Sequence, residues 1–382
     1  RHEQRAIEWL DLLAKSGEPM EAERAHVLLC VGTNALYHDD MAVAEAAFGG
    51  SLKAVVASDD RWGAAYARQM VAWTLHNRGE IRACLKETTS ALGMRRSLGD
   101  TRGIADSLMG ISMCFNALGD LTKSLNAARE ALILTQACNA RQGAAGILGE
   151  MARTYLLMGQ PERGADFGGE VIAQLQDLGM PMWIAVEQCT TTSDHDLHLG
   201  RYFEARAMLN DALAIARQQE IAWPIGAGLV RQAKLGLAVD KIDDAAAALA
   251  EAIPLLSSIE RLDELGDAYI TQATCAVLQS EPSQALQHLA GGLRIAVDTE
   301  HYAMLCHGLA ASALLAAVEG DVALARERYA VALSEPFVAS SHWFADVYER
   351  EMVRFQQKFS TIRIPTPKER GKDSHILDAV SQ

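Results

Sequence analysis

Apolar residues recur at helical spacing in run after run along this chain, and a turn-forming residue closes each run before the next begins. In LGDLTKSLNAAREAL (118–132) the pair Gly119-Asp120 ends the apolar run ISMCFNAL and opens the run LTKSLNAAREALIL. Equivalents of Gly119 stand at Asp39, Gly79, Gly159, Gly200, Asp240, Ser280 and Gly320, so the steps along the chain are 40, 40, 40, 41, 40, 40 and 40 residues. Gly, Asp and Ser at the end of an apolar helical run mark helix termination. Three further columns keep the same beat. Seven residues before the turn stand Gly32, Ala72, Ser112, Ala152, Ser193, Ala233, Ala273 and Ala313. Five after it come Ala44, Cys84, Ser124, Gly164, Ala205, Ala245, Ala285 and Ala325. Twelve after it come Ser51, Ala91, Ala131, Val171, Ala212, Ala252, Gly292 and Ala332. Two antiparallel helices approach closely only where the facing side chains are short, and positions seven apart share one helix face. The pattern therefore predicts eight helical hairpins with a period of about 40 residues.

The predicted hairpins cover about 20–58, 61–98, 101–138, 141–178, 182–219, 223–260, 262–298 and 302–334, giving a repeat region over 20–338. Residues 1–19 read as a helix (about 3–15) and a Gly17-Glu18-Pro19 loop that continue a longer protein, because the chain opens inside a helical pattern without Met. Residues 339–360 read as a capping helix whose Trp343, Phe344, Val347, Met352, Val353 and Phe355 cover the open face of the last repeat, as an array requires of its end. Residues 361–382, with Pro365 and Pro367, read as an exposed tail. Pro161 and Pro282 fall at the first helical position, where the missing N–H costs nothing. Pro254, late in the second helix of the sixth hairpin, is expected to kink or stop that helix.

Composition narrows the class. Apolar residues make up 49% of the chain and aromatics 6%, with few β-branched runs and no strand alternation, so the fold class is all-α. The net charge of −14 opposes direct nucleic-acid binding, which needs clustered Lys and Arg. No run of eighteen apolar residues and no signal peptide is visible, so no membrane partner is expected. Seven scattered cysteines without a CxxC motif read as small packing residues of a reducing, cytoplasmic protein. No disulfide is expected: Cys114 and Cys138, taken as the nearest pair, fall at different levels of one hairpin.

The small residues around the turn resemble the tetratricopeptide repeat, lengthened here from about 34 residues. The segments SLGDTRGIADSLMGISMCFNALGD (97–120) and ASDDRWGAAYARQMVAWTLHNRGE (57–80), with the closing ASSHWFADVYEREMVRF, resemble the MalT-like superhelical region of bacterial STAND-type signalling ATPases and transcriptional regulators. That resemblance implies a right-handed superhelix, no catalytic motif, and an upstream ATPase and output domain of the same protein as partners.

Residues that carry chemistry are few. IGAGLV (225–230) lies inside a helix and follows no strand, so it does not read as a phosphate loop. SDHDLHLG (193–200) brings Asp194, His195, Asp196 and His198 together, with Asp194 and His198 at helical i, i+4 spacing. A third ligand is not apparent nearby, so no metal is assigned, and YHDD (37–40) coincides with the first turn. No Ser or Cys nucleophile motif and no cofactor signature is present, and the chain is expected not to be an enzyme.

The concave groove remains. In such superhelices the first helices line it. Six residues before each turn stand Thr33, Trp73, Met113, Arg153, Asp194, Lys234, Thr274 and Leu314, and thirteen before stand His26, Tyr66, Asp106, Gly146, Glu187, Ala227, Asp267 and His307. Tyr66, Gln69, Trp73, His76, Met109, Met113 and Asn116 form an aromatic, thioether and amide group, while Arg153, Glu187, Asp194 and Lys234 form a line of alternating charge. Arg153 and Lys234 are expected to favour an anionic ligand. The functional expectation is a ligand-sensing or protein-interaction arm of a larger bacterial regulator, taking a peptide, protein or small-molecule effector. The alternative is a constitutive adaptor.

Overall fold

The computed structural model describes residues 21–37 and 40–358, and among them there is no strand. The helix expected over residues 3–15, Asp39, and the tail from 361 lie outside the described residues. The chain forms hairpins α1 (Glu21–Tyr37) and α2 (Met41–Ala57), α3 (Arg61–Asn77) and α4 (Ile81–Leu98), α5 (Thr101–Ala117) and α6 (Leu121–Ala137), α7 (Arg141–Leu157) and α8 (Pro161–Asp177). Helix α9 runs as Pro181–Glu187, a π turn over Gln188–Thr192, and Ser193–His198, and pairs with α10 (Tyr202–Gln218). There follow α11 (Ala222–Ala238) and α12 (Ile242–Ser258), α13 (Leu262–Leu278) and α14 (Pro282–Asp298), α15 (Tyr302–Glu319) and α16 (Val322–Ser334). A short α17 (Pro336–Ala339) leads into α18, which runs as His342–Phe344, a π turn over Ala345–Glu349, and Arg350–Lys358.

One backbone device sets the frame. Left-handed residues stand at 59, 79, 99, 119, 139, 159, 179, 200, 220, 240, 260, 280, 300 and 320. The turns between hairpins thus repeat the geometry of the turns within them, and the true beat is twenty residues. All but Asp59 show the full Schellman closure, and Asp59 keeps the bond from Asp60 N to Val55 O. At Gly119 the amide of Asp120 donates to Phe115 O at 2.8 Å and that of Gly119 to Asn116 O at 3.1 Å, which satisfies carbonyls the helix end would orphan. Asp60 and Asp100 then start the next helix by accepting from the amides of Gly63 and Gly103 at 2.9 Å. The single 41-residue step is absorbed by the π turn of α9, which takes up one extra residue without moving the turns on either side. Pro254 does not break α12, which continues to Ser258. Pro254 and Ala250, whose carbonyl loses its donor, are both exposed, so water replaces the lost bond.

All 24 positions of the three small columns are buried. They let the helices of each hairpin close on one another. Consecutive odd-numbered helices also pack together, while even-numbered ones meet through long side chains such as Arg96–Glu130 and Arg217–Glu251. The odd helices therefore line the inner, concave side of the curve.

The curve closes on itself. Helix α15 packs on α5, and α17 on α7. Arg82 clasps Glu300 through two bonds of 2.5 Å, and Arg261 donates to Asn77 Oδ1 at 3.0 Å. This contact accounts for the glycines at 79, 119 and 159, whereas Gly99, Gly179 and Gly320 stand in open space. A Cβ on Gly79 would lie 2.4 Å from Thr299 Cγ2, and one on Gly159 would lie 2.6 Å from the carbonyl oxygen of Pro336. The equivalent turns at Asp240 and Ser280 are exposed and carry side chains. Helix α15 is long and apolar enough by composition to cross a membrane. Every residue from Met304 to Ala317 is buried, which makes it the central core helix.

Two stability measurements check this frame. Ala205→Leu or Ala285→Leu, at fully buried column positions, should each destabilise by about 1–3 kcal/mol through overpacking. Gly320→Ala, with open space around the site, should cost about 1–2 kcal/mol for the left-handed backbone alone. Gly159→Ala should cost clearly more, because the backbone of Pro336 stands in the way. Equal losses in urea unfolding at the two glycines would refute the closure.

Candidate functional site

The concave lining divides into two halves. In repeats five to eight it is filled by the protein itself. Helix α18 turns back along the inside, and Trp343, Phe344, Val347, Tyr348 and Met352 are all buried there. Trp343 Nε1 donates to Lys234 O at 2.8 Å, and its ring lies 5.4 Å from the Lys234 ammonium. Tyr348 OH bonds His307 Nε2 and Thr274 Oγ1, both at 2.7 Å. Around this plug the charges are paired. Lys234 meets Asp267 at 2.6 Å, whose other oxygen bonds His307 Nδ1 at 2.7 Å. Arg231 bonds Asp194 at 3.0 Å, the Thr190 carbonyl at 3.1 Å, and Glu264. Burial alone would raise the carboxyl pKa of Asp194, but Arg231 and Lys234 overcome it and hold it below the usual range.

Repeats two to four are less occupied. Trp73, His76 and Met113 are half-buried and line a shallow open hollow with Gln69, Ala72, Cys84 and Gly110. Tyr66 stacks on the exposed Trp62, ring centroids 5.6 Å apart, and Met109 Sδ sits over Gly146. Facing His76 across the superhelix are Arg261 and Asp263 at the start of α13 and His301 just before α15, whose charges act on its ring. His76 Nδ1, His301 Nδ1, Asp263 Oδ1 and Arg261 Nε are buried atoms without a hydrogen-bond partner. Burial pushes the His76 pKa down to about 4, so its ring is neutral at pH 7.

Two residues grouped with the hollow by their spacing have their polar groups engaged in buried hydrogen bonds, Gln69 at the wall of the hollow and Asn116 outside it. Gln69 is buried and accepts from Ser107 Oγ at 3.1 Å, and Asn116 donates to Glu150 Oε1 at 2.7 Å. The expectation that Arg153 and Lys234 offer free positive charge is corrected by their pairing. Arg153 keeps 42% side-chain exposure, yet it donates to Thr191 Oγ1 at 3.1 Å and lies 3.9 Å from Glu150. The Glu187 carboxylate rests over Gly149, where a Cβ would lie 3.0 Å from Oε1, and that oxygen has no partner. Burial raises the carboxyl pKa of Glu150 and Glu187, with Arg153 opposing. The acidic groups of this lining outnumber its cations, so an anionic ligand is disfavoured. The spacing missed Glu150, Arg231 and Glu264, and passed over Asp267 and His307. Their signal was a charged residue on helices otherwise apolar on that face.

The SDHDLHLG residues disperse. His195 places its two ring nitrogens 2.9 Å from Thr191 O and 3.0 Å from Ala152 O, Asp194 turns to Arg231, and Asp196 to Arg201 at 3.8 Å. His198 packs against Phe337, its ring centroid 4.8 Å away, and against Trp343 and Phe344. Among the described residues no three His, Cys, Asp or Glu side chains converge to hold a metal ion.

No protein-family model matches the chain, and no curated protein matches it by sequence. Solved structures do match. A Rap protein complexed with competence and sporulation factor superposes with a TM-score of 0.56 at 14% identity, covering 88% of this chain and 99% of its own. NprR in complex with its cognate peptide NprX gives 0.54 at 15%, covering 86% and 96%. A signal-transduction ATPase with numerous domains and a tetratricopeptide repeat sensor, from Pyrococcus horikoshii, gives 0.51 at 15%, covering 92% of this chain and 55% of its own. The fold is a tetratricopeptide-type superhelix. At these identities the likeness shows the fold alone.

Burial lowers the pKa of the buried histidines, most strongly at His76 and His198. Burial takes His198 from 6.5 to about 3. Between those values the unfolded chain binds a proton that the native one does not. The stability from this residue is complete above pH 6.5 and is lost as pH falls, by roughly 1.4 kcal/mol per pH unit. His198→Phe keeps the aromatic packing and removes the titration. Its urea-unfolding free energy should fall less steeply than wild type from pH 6.5 to 4.5, by about that slope. Parallel curves would show that His198 is not held neutral.

Proposed function

We propose that this chain is a regulatory interaction superhelix that captures a peptide or protein segment on the concave side of repeats two to four. One observation carries the reading. The lining of repeats five to eight is covered by α18, whereas the Trp73–Met113 hollow is open. Buried polar atoms without a partner occur in both halves, and those of His76, His301, Asp263 and Arg261 cost free energy unless water or a ligand bonds them. The hollow is shallow and open, with enclosed room for about one water molecule, too little for a small-molecule site. Its mouth presents Trp73 and Met113 to a side chain of a longer partner, with Tyr66 and Met109 beside them. The peptide complexes of the Rap and NprR structures support this by likeness of fold.

The superhelix acts as the arm of a larger bacterial regulator of the STAND type, with an ATPase and output domain elsewhere in the protein. The site's walls come from α3 and α5 on one side and from the starts of α13 and α15 on the other. A partner touching both walls favours one superhelical pitch over another, which is a population shift and not a chemical step. A constitutive adaptor would bind at the same place without changing shape.

Selection of random peptides displayed on phage tests this. Enriched peptides should bind the wild-type chain, and Trp73→Ala or Met113→Ala should weaken them at least tenfold, while Phe203→Ala on an exposed outer position should not. Small-angle scattering with bound peptide should show a changed radius of gyration, and an unchanged one would favour the adaptor. Peptides insensitive to Trp73 and Met113 would move the site elsewhere.

A further inference from the structure

Cys84 stands in the first turn of α4 and Cys114 in the last turn of α5. Their sulfurs are 3.2 Å apart, with the Cys114 thiol donating, and both side chains are buried. Sequence order hid this pair. The neighbour of Cys114 is not Cys138 of its own hairpin but a cysteine of the preceding one, brought to its level by the small column in which Cys84 lies. A disulfide needs a sulfur separation of about 2.05 Å, so closure asks for roughly an ångström of approach between sulfurs already in contact.

We propose that Cys84 and Cys114 are an oxidative modification site, a dithiol that a hydroperoxide converts to a disulfide at the floor of the Trp73 hollow. Access is the second observation. Cys84 is almost without exposed surface, yet it lines the hollow with His76, Trp73 and Met113, so a small oxidant reaches its sulfur from there. Cys30 and Cys138, in contrast, are exposed and solitary. The bond from Cys114 also marks Cys84 as the sulfur on which negative charge is better tolerated, and it lowers the Cys84 pKa.

The chemistry balances without any further component. The Cys84 thiolate attacks one peroxide oxygen, the O–O bond breaks, and the departing oxygen takes a proton to leave as water or alcohol. The sulfenic acid on Cys84 is then attacked by Cys114 sulfur. The S–O bond breaks, the S–S bond forms, and the second oxygen leaves as water with the thiol proton. Two thiols are oxidised by two electrons, and one hydroperoxide is reduced. The product ties α4 to α5 beneath Trp73 and narrows the freedom of the hollow's floor.

The test uses the whole chain carrying Cys30→Ser and Cys138→Ser, titrated with hydrogen peroxide, alkylated with N-ethylmaleimide and mapped by mass spectrometry. The expected result is a product lighter by two hydrogens, a cross-linked peptide pair containing Cys84 and Cys114, and a change in Trp73 fluorescence reversed by dithiothreitol. In Cys114→Ser, dimedone should trap a sulfenic acid on Cys84. In Cys84→Ser, Cys114 should stay reduced at the same peroxide dose. Oxidation of Cys84 to sulfinic acid without the cross-link, or a cross-link formed only after unfolding, would overturn the proposal.

Discussion

The structure depends on one backbone constraint, the left-handed residue that closes a helix every twenty positions. That residue turns the chain through nearly the same angle each time, because the same closing hydrogen bonds recur, as a pair at every such turn but Asp59. With equal helices and equal turns, each hairpin stands to the next in nearly the same relation, and a superhelix is the only outcome. Its tightness comes from the three buried columns of small residues. They allow the inner helices to approach one another, and a tight curve brings the ends of repeats two to five against repeats seven and eight and α17. Where that contact falls, a left-handed turn residue has no room for a Cβ.

Closure also determines the electrostatics. The inner faces of odd-numbered helices converge, so any charged residue they carry loses water and must find a partner. Arg231 bridges Asp194 and Glu264, which belong to the hairpins before and after its own, and Lys234 reaches Asp267 in the next. These pairs are worth little as net stability, because desolvation offsets the Coulomb gain. Removing one partner leaves a buried charge unpaired, so they specify which hairpin sits beside which. The aromatic plug from α18 sits over this ladder and removes it from the surface available to partners.

The fold was legible from the spacing of small and turn residues, since both are demanded by helix contact at fixed offsets. The doubled frequency of the turn was not, because Glu220, Glu260 and Glu300 carry left-handed backbone without a turn-forming side chain. The candidate site was legible in part. Trp73, His76 and Met113 come together because they share one inner face on successive hairpins. Asn116 could not be separated from them by offset alone, since a small rotation about the helix axis decides between groove and interface. The facing wall of Arg261, Asp263 and His301 was invisible, as nothing local links residues 185 to 225 positions beyond His76 to α3. The same limit hid the Cys84–Cys114 contact, which crosses between hairpins.

The two walls give the concave site a property that a one-sided groove lacks. His76 on α3 answers to charges at the starts of α13 and α15, and the covalent route between them passes through four whole hairpins to α13 and five to α15. Their distance is therefore set by the pitch of every intervening repeat, and a slight change at each adds up at the mouth. The Arg82–Glu300 clasp and the Arg261–Asn77 bond hold that mouth from outside and inside. The first is exposed and screened by salt, so it contributes little. The second is buried, and its Nε is left without a partner. The mouth is closed by these two contacts together with the packing of α15 on α5 and α17 on α7, a smaller contact than the one within each hairpin. A partner that bonds both walls would act on that smaller contact, and small rotations shared among the repeats suffice to follow it.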